Sequence, residues 1–113
     1  MALSIGMVTI DCSDPQSLAR FWTAALGTTV AADYGEFVLL DGTPALGLQQ
    51  VPEARTGKNR VHIDLHTDDR AAEVARLTSL GASVVTEHAV PSLWWTVLTD
   101  PEGNQFCIGS HHG

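Results

Sequence analysis

The stretch Asn59-Arg60-Val61-His62-Ile63-Asp64-Leu65-His66-Thr67-Asp68-Asp69 reads as a β-strand running into a helix cap. Side chains on a strand alternate between faces. Val61, Ile63 and Leu65 therefore share one face, and His62, Asp64 and His66 share the other. The apolar face suits a covering helix. The other face carries three ionisable groups in succession, which a strand buried on both faces does not.

The same pattern occurs earlier in the chain. In Val8-Thr9-Ile10-Asp11-Cys12-Ser13-Asp14, Val8 aligns with Val61, Ile10 with Ile63 and Asp11 with Asp64. Each copy runs on into helical periodicity that ends in Leu-Gly, at Leu26-Gly27 and at Leu80-Gly81. A β-branched stretch follows each, Thr28-Thr29-Val30 and Ser83-Val84-Val85-Thr86, and later a strand and turn that end at Asp41-Gly42 and Asp100-Pro101. A period near half the chain is a duplication, whereas a solenoid needs about three units or more.

The chain in order gives β-α-β-β-β, twice. Strand one covers about Ser4–Cys12. Asp14 is a good N-cap and Pro15 suits the first helical position. Leu18, Phe21, Trp22, Ala25 and Leu26 form a buried stripe, and Gly27 ends the helix. Strands two, three and four cover about Thr28–Asp33, Glu36–Leu40 and Ala45–Val51. Pro52–Asn59 is a polar linker, expected to be the most mobile segment; it allows the halves to pair within one chain or to swap between two. Strand five covers Arg60–Thr67. Asp68 or Asp69 caps the second helix, with Val74, Leu77 and Leu80 inward, Glu73 and Arg76 paired outside, and Gly81 as the stop. Strand six covers about Ser83–Glu87, His88–Leu93 is a loop, strand seven covers Trp94–Thr99 and strand eight Gln105–Gly109. Asp100-Pro101-Glu102-Gly103-Asn104 is a strong turn. Ser110–Gly113 reads as a frayed tail. The expected class is α+β: two βαβββ modules, at about 4–51 and 60–109 around the linker 52–59, within one domain of 1–113. They are expected to join edge to edge in a concave mixed sheet with the helices on the outer face.

Composition sets limits on function. The chain has 113 residues, enough for one core, with 44% apolar and 17% charged residues. A net charge of −7, with no cluster of basic residues, argues against nucleic acid, which needs basic surface. No apolar run approaches the ~18 residues of a membrane span, and the N-terminus lacks a signal-peptide pattern, so the expected location is the cytoplasm. Cys12 and Cys107 form no CxxC motif. By strand parity they face opposite sides, which disfavours a disulfide. Glycine-rich phosphate loops and GxSxG elbows are absent from the sequence.

These motifs resemble the vicinal oxygen chelate superfamily of glyoxalases, extradiol dioxygenases and bleomycin-resistance proteins, in its glyoxalase-like subgroup. The pieces that carry the resemblance are Asp14-Pro15-x-x-x-Leu18-Ala19-x-Phe21-Trp22-x-x-x-Leu26-Gly27, Arg60-Val61-His62-Ile63-Asp64, and Asp100-Pro101-Glu102-Gly103-Asn104-x-Phe106. The resemblance implies two paired modules forming a cup, and often a homodimer. It also implies metal ligands on strands one, four, five and eight. Carried over, those positions fall on Met7, near Leu48 to Gln50, on His62 and on Cys107. His62 alone is of a ligand type in its expected place. Met7 suits neither Mg²⁺, Mn²⁺ nor Fe²⁺. Cys107 is equally a Zn²⁺ ligand or a small buried hydrophobe.

Two functional readings follow. The first is a binding protein for a small, partly aromatic organic molecule, without the family's catalytic metal. Its lining residues would be Met7, Thr9, Asp11, Gln50, His62, Asp64, Trp95, Gln105 and Cys107. Of Trp94 and Trp95, one must point inward, giving a flat wall for a ring or simply filling core. The second is a lyase, isomerase or dioxygenase-like enzyme. It would use a divalent metal at His62, or acid–base chemistry by Asp11, Asp64 and His62. Asp11 and Asp64 are read either as a carboxylate pair with displaced pKa values or as ordinary buried carboxylates bonded to backbone, hydroxyls or Arg60. His62-x-Asp64-x-His66 offers same-face metal ligands, though neighbours lie ~6.5–7 Å apart along a strand. Cys107 as a nucleophile with His62 beside it is a further option. A retained dimeric interaction module with a filled, apolar cup is a third reading.

Overall fold

Two aspartates start the two helices, and each helix covers one face of its own sheet. The computed structural model describes residues 4–53, 57, 59 and 61–111. The chain divides into two units, Met1–Arg55 and Thr56–Gly113.

The first unit runs β1 (Met7–Cys12), α1 (Pro15–Leu26), β2 (Val30–Asp33), β3 (Phe37–Leu40) and β4 (Ala45–Gln50). Its four strands lie in the order β1-β4-β3-β2, with β1 parallel to β4 and the other pairs antiparallel. The Asp14 carboxylate accepts from the Ser17 backbone N–H at 3.1 Å, satisfying one of the orphan donors of the first turn. Gly27, in the left-handed conformation at φ 65°, closes the helix. Leu18, Phe21 and Trp22 are buried with Val38, Leu40, Leu46 and Leu48 of the sheet. Each such side chain stabilises the unit by about 1.5–3 kcal/mol. Leu26 is exposed, so the apolar stripe stops one residue short of its expected end.

The second unit repeats the plan with β5 (Ile63–His66), α2 (Arg70–Ser79), β6 (Ser83–Val90), β7 (Leu93–Thr99) and β8 (Gln105–His111). The order is β5-β8-β7-β6, and β5 is parallel to β8. Asp69 is the N-cap of α2, its carboxylate accepting from the Ala72 N–H at 3.1 Å. Glu73 and Arg76 pair at 2.7 Å. Leu77 is buried, whereas Leu80 is exposed as the C-cap, with Gly81 following at φ 118°. The two units thus share one topology, as duplication requires, each with a mixed sheet and a single helix.

Three expectations need correction. Strand five begins at Ile63, not Arg60, and Val61 is 77% exposed. The reason is Asn59, whose side-chain oxygen accepts from the Gln105 N–H and whose amide donates to the carbonyls of Gln105 and Val61. One side chain thereby takes the place of a further ladder rung. Arg60 lies outside the described residues, and with it the proposed Arg60 pairing. Second, His88–Val90 belongs to β6, which forms a long hairpin with β7 across Pro91-Ser92. Third, Ser110 and His111 extend β8, pairing with Trp94 and Leu93 rather than fraying.

No helix among the described residues is long and apolar enough to cross a membrane.

Candidate functional site

The register decides which side chains share a face. In the second unit Asp64 lies opposite Cys107, and Cys107 opposite Val97. One rung on, His66 lies opposite Gly109, Gly109 opposite Trp95, and Trp95 opposite His88. Phe106, Ile108, Leu98 and Thr96 have the other parity and are buried beneath α2. The helix-free face therefore carries Asp64, His66, Cys107, Val97, Trp95 and His88. Gln105 stands at the start of β8 on this face, opposite Thr99.

Two clusters form on it. In the first, His62 Nδ1 lies 3.3 Å from Asp64 Oδ1 and 3.7 Å from Cys107 Sγ. One ligand atom from each of the three residues falls within 4.8 Å of the others. Cys107 is 6% exposed, while the Asp64 side chain is 62% exposed, so the cluster runs from the interior to the surface. Of the sequence candidates, His62, Asp64 and Cys107 come together; His66 does not join them. Both contacts use the same imidazole nitrogen. A hydrolase-type triad needs the carboxylate on one ring nitrogen and the nucleophile on the other, so this arrangement is not such a triad.

The second cluster is aromatic. The rings of His88 and Trp95 stack with centroids 5.1 Å apart and planes at 23°. Gly109 has no side chain between Trp95 and His66 on the same rung, leaving a shelf beside the stack. A Cβ there would make only ordinary contacts, 3.6 Å to Leu93 Cδ1 and 3.8 Å to Trp95 Cβ. Trp94 takes the opposite face, where the Arg70 guanidinium lies 5.5 Å from its ring centroid. Arg70 also donates to Glu87 at 2.9 Å and to Thr96 at 2.6 Å. Trp95 is thus the tryptophan of the candidate site, and Trp94 belongs to the packing of α2. His88 and Gly109 were missed by sequence reasoning. The register shift between Val84 and Thr86 breaks the alternation by which β6 could have been extended to His88.

In the first unit Met7, Thr9 and Asp11 share the helix-free face with Gly47 and Gln49. Met7 is 46% exposed, and Thr9 and Asp11 are exposed. Gln50 is displaced from the expected set: it pairs with Cys12, has the parity of buried Leu48, and donates to the Ser13 carbonyl at 3.2 Å. Gln49 holds that strand position instead, its amide donating to the Glu36 and Gln50 carbonyls. Gly47 lies beneath Phe37, since a Cβ there would come within 2.7 Å of the ring. Across the repeat Gln49 stands to Asp11 as Cys107 stands to Asp64.

A glyoxalase-like domain model matches residues 7–109. The chain belongs to the glyoxalase-like family. It is thereby a member of the vicinal oxygen chelate superfamily. Solved structures agree on the fold. A glyoxalase/bleomycin resistance protein/dioxygenase family enzyme from Burkholderia phytofirmans PsJN is 18% identical, with a TM-score of 0.81 over 96% of this chain and 98% of that one. A glyoxalase/bleomycin resistance protein/dioxygenase from Nocardioides is 16% identical, with a TM-score of 0.80 over 98% and 85%. Lactoylglutathione lyase from Agrobacterium tumefaciens is 18% identical, with a TM-score of 0.73 over 97% and 95%. No curated protein sequence matches the chain.

The superfamily's metal positions, carried onto this glyoxalase-like chain, hold the thioether of Met7, the amide of Gln49, the imidazole of His62 and the thiol of Cys107. Hard divalent cations require carboxylate, carbonyl or water oxygens. Taken unit by unit, the thioether and amide of the first and the imidazole and thiol of the second include no carboxylate for such an ion.

Proposed function

We propose that this protein binds a small, ring-bearing organic molecule on the helix-free face of its second module, without the hard-cation chemistry of the metal-dependent members. The observation that carries the reading is the His88–Trp95 stack beside the bare backbone of Gly109. Small-molecule sites combine apolar and aromatic walls with a few placed polar groups. Here Trp95, Val97 and Leu93 would supply the wall, and His62, Asp64 and Gln105 the polar contacts. Met7, Thr9 and Asp11 would line the equivalent face of the first module. A cytoplasmic location and a homodimer belong to the same proposal. A reducing compartment would keep both free thiols reduced.

A second reading, a lyase- or isomerase-type enzyme, is favoured by one contact, Cys107 Sγ beside His62 Nδ1. It would need the imidazole to hand a proton to substrate, and so an exposed ring nitrogen. The His62 side chain is 39% exposed.

The test is a thermal-shift screen of aromatic metabolites and antibiotics, followed by calorimetric titration of the best hit. Trp95→Ala should weaken binding by roughly tenfold or more, the ~1–3 kcal/mol of an aromatic stack. Equal affinity in wild type and Trp95→Ala would refute the proposed face. Turnover of the hit, abolished in His62→Ala, would favour the enzyme.

A further inference from the structure

Within its sheet β6 is an edge strand, bonded to β7 alone among the described strands, and every one of its residues is exposed. Its register with β7 shifts between Val84 and Thr86, and the Pro91-Ser92 turn that joins the two strands has no glycine. Such a strand is free to twist and slip unless side chains pin it. His88 stacks on Trp95 only if β6 keeps its register and twist at that rung.

The pin lies on the opposite face. Glu87 pairs with Thr96 one rung before His88 and Trp95, and Ala89 pairs with Trp94 one rung after. Strand alternation turns these four toward α2 and turns His88 and Trp95 away from it. Arg70, the first residue of α2, reaches both rungs. Its Nη1 donates to Glu87 Oε1 at 2.9 Å and to Thr96 Oγ1 at 2.6 Å, and Thr96 Oγ1 donates on to Glu87 Oε1 at 3.3 Å. These three bonds close a ring that ties the helix, the edge strand and the inner strand together. The guanidinium also lies 5.5 Å from the Trp94 ring centroid, on the second rung. Arg70 thus holds Thr96 and Trp94, the two neighbours of Trp95 in the chain, and Glu87, a neighbour of His88.

We infer that Arg70 is the positioning residue of the aromatic face: from behind the sheet it fixes the twist and register at which His88 stacks on Trp95. The contact is poorly suited to bulk stability. The Glu87 side chain is mostly exposed, and such open ion pairs add little to folding. Arg70 Nε is buried with no hydrogen-bond partner among the described residues, a cost borne while Nη1 sits between the two strands. Lysine would not serve, because its shorter stem and point charge lack the rigid planar fork. The inference deepens the proposed function and rests on its aromatic face. A wall fixed before binding loses less freedom when a ring-bearing molecule settles on it.

The experiment needs no ligand. A histidine stacked on an indole has its carbon-bound ring protons shifted upfield by the ring current, and Trp95→Leu supplies the unstacked reference for His88. Signals are compared along full pH titrations, neutral ring against neutral ring. Arg70→Met keeps an apolar stem without the guanidinium and should lose most of the upfield shift. Thr96→Val keeps the shape without the hydroxyl and should move the signals the same way. Glu87→Gln keeps an acceptor for Nη1 and should stay near wild type. Arg76→Met removes the other ion pair of α2, with Glu73, and should also stay there. Circular dichroism and the methyl signals of buried Leu77 and Leu98 establish folding; if Arg70→Met does not fold, Thr96→Val decides. Wild-type His88 shifts in the folded Arg70→Met or, in its place, Thr96→Val overturn the inference. An equal loss in Arg76→Met overturns it too, since any loosening of α2 would then suffice. Both outcomes leave the aromatic face standing. Identical His88 shifts in wild type and Trp95→Leu would mean that there is no stack to position, and the aromatic face would fall with the inference.

Discussion

At the scale of the residue, small polar side chains fix where the chemistry sits. Asp100 is 3% exposed, and its carboxylate accepts from the N–H groups of Glu102 and Asn104 at 2.9 Å and from the Asn104 side chain. This turn launches β8, and with it Gln105 and Cys107. Asp100→Ala would strand two backbone donors, so it should cost about 2–3 kcal/mol, read as a lower urea midpoint at unchanged slope. A midpoint within error of wild type would show the turn to be held by its proline and glycine instead. The two glycines of the inner strands make a sharper contrast. Gly47→Ala must push a Cβ into the Phe37 ring and should destabilise by about 1–3 kcal/mol. Gly109→Ala meets only ordinary contacts, so its stability should change by less than ~0.5 kcal/mol while aromatic-ligand binding falls. Loss of stability without loss of binding in Gly109→Ala would count against the shelf.

At the scale of the element, legibility followed how local the signal was. Both helices could be read because their caps are written into neighbouring residues, Asp14-Pro15 and Asp69. Removing either carboxylate with Asp14→Ala or Asp69→Ala should cost about 1 kcal/mol by denaturant titration. The β6–β7 hairpin could not be read so well. Two-residue hairpins favour Asn-Gly or Asp-Gly, whose residues take positive φ. Pro91-Ser92 offers neither, and no residue other than glycine has positive φ among those described. Its Pro therefore looked like the middle of a loop, and His88 was lost from the candidate site with it. Register was the other gap. Gln49 and Gln50 are neighbours of the same type, and only the pairing of Cys12 with Gln50 decides which one shares a face with Asp11. Strand parity alone put Gln105 and Cys107 on the face of Asp64 but left open which of Trp94 and Trp95 joins them, and the pairing of Trp95 with Gly109 decides it. Parity could not supply the 3.7 Å approach of Cys107 to His62, which depends on the parallel pairing of β5 with β8.

At the scale of the whole molecule, the duplication explains why one family fold carries two unlike faces. The same topology puts Thr9, Asp11 and Gln49 on one module and His62, Asp64 and Cys107 on the other. Among the described residues, only the second combines ligand-type side chains with a stacked aromatic pair. The homodimer of the proposal should elute with a light-scattering mass about twice the 12.1 kDa chain; a mass of one chain across dilution would remove it. The central claim is that a ring-bearing molecule sits against Trp95. The protein has three tryptophans, with Trp22 on the buried face of α1 and Trp94 beside Arg70. Their indole N–H signals, assigned by single Trp→Phe changes, make the most direct measurement. On titration with the best aromatic hit, the Trp95 signal should move furthest and Trp22 should stay still. Movement centred on Trp94, or on neither tryptophan of β7, would contradict the account.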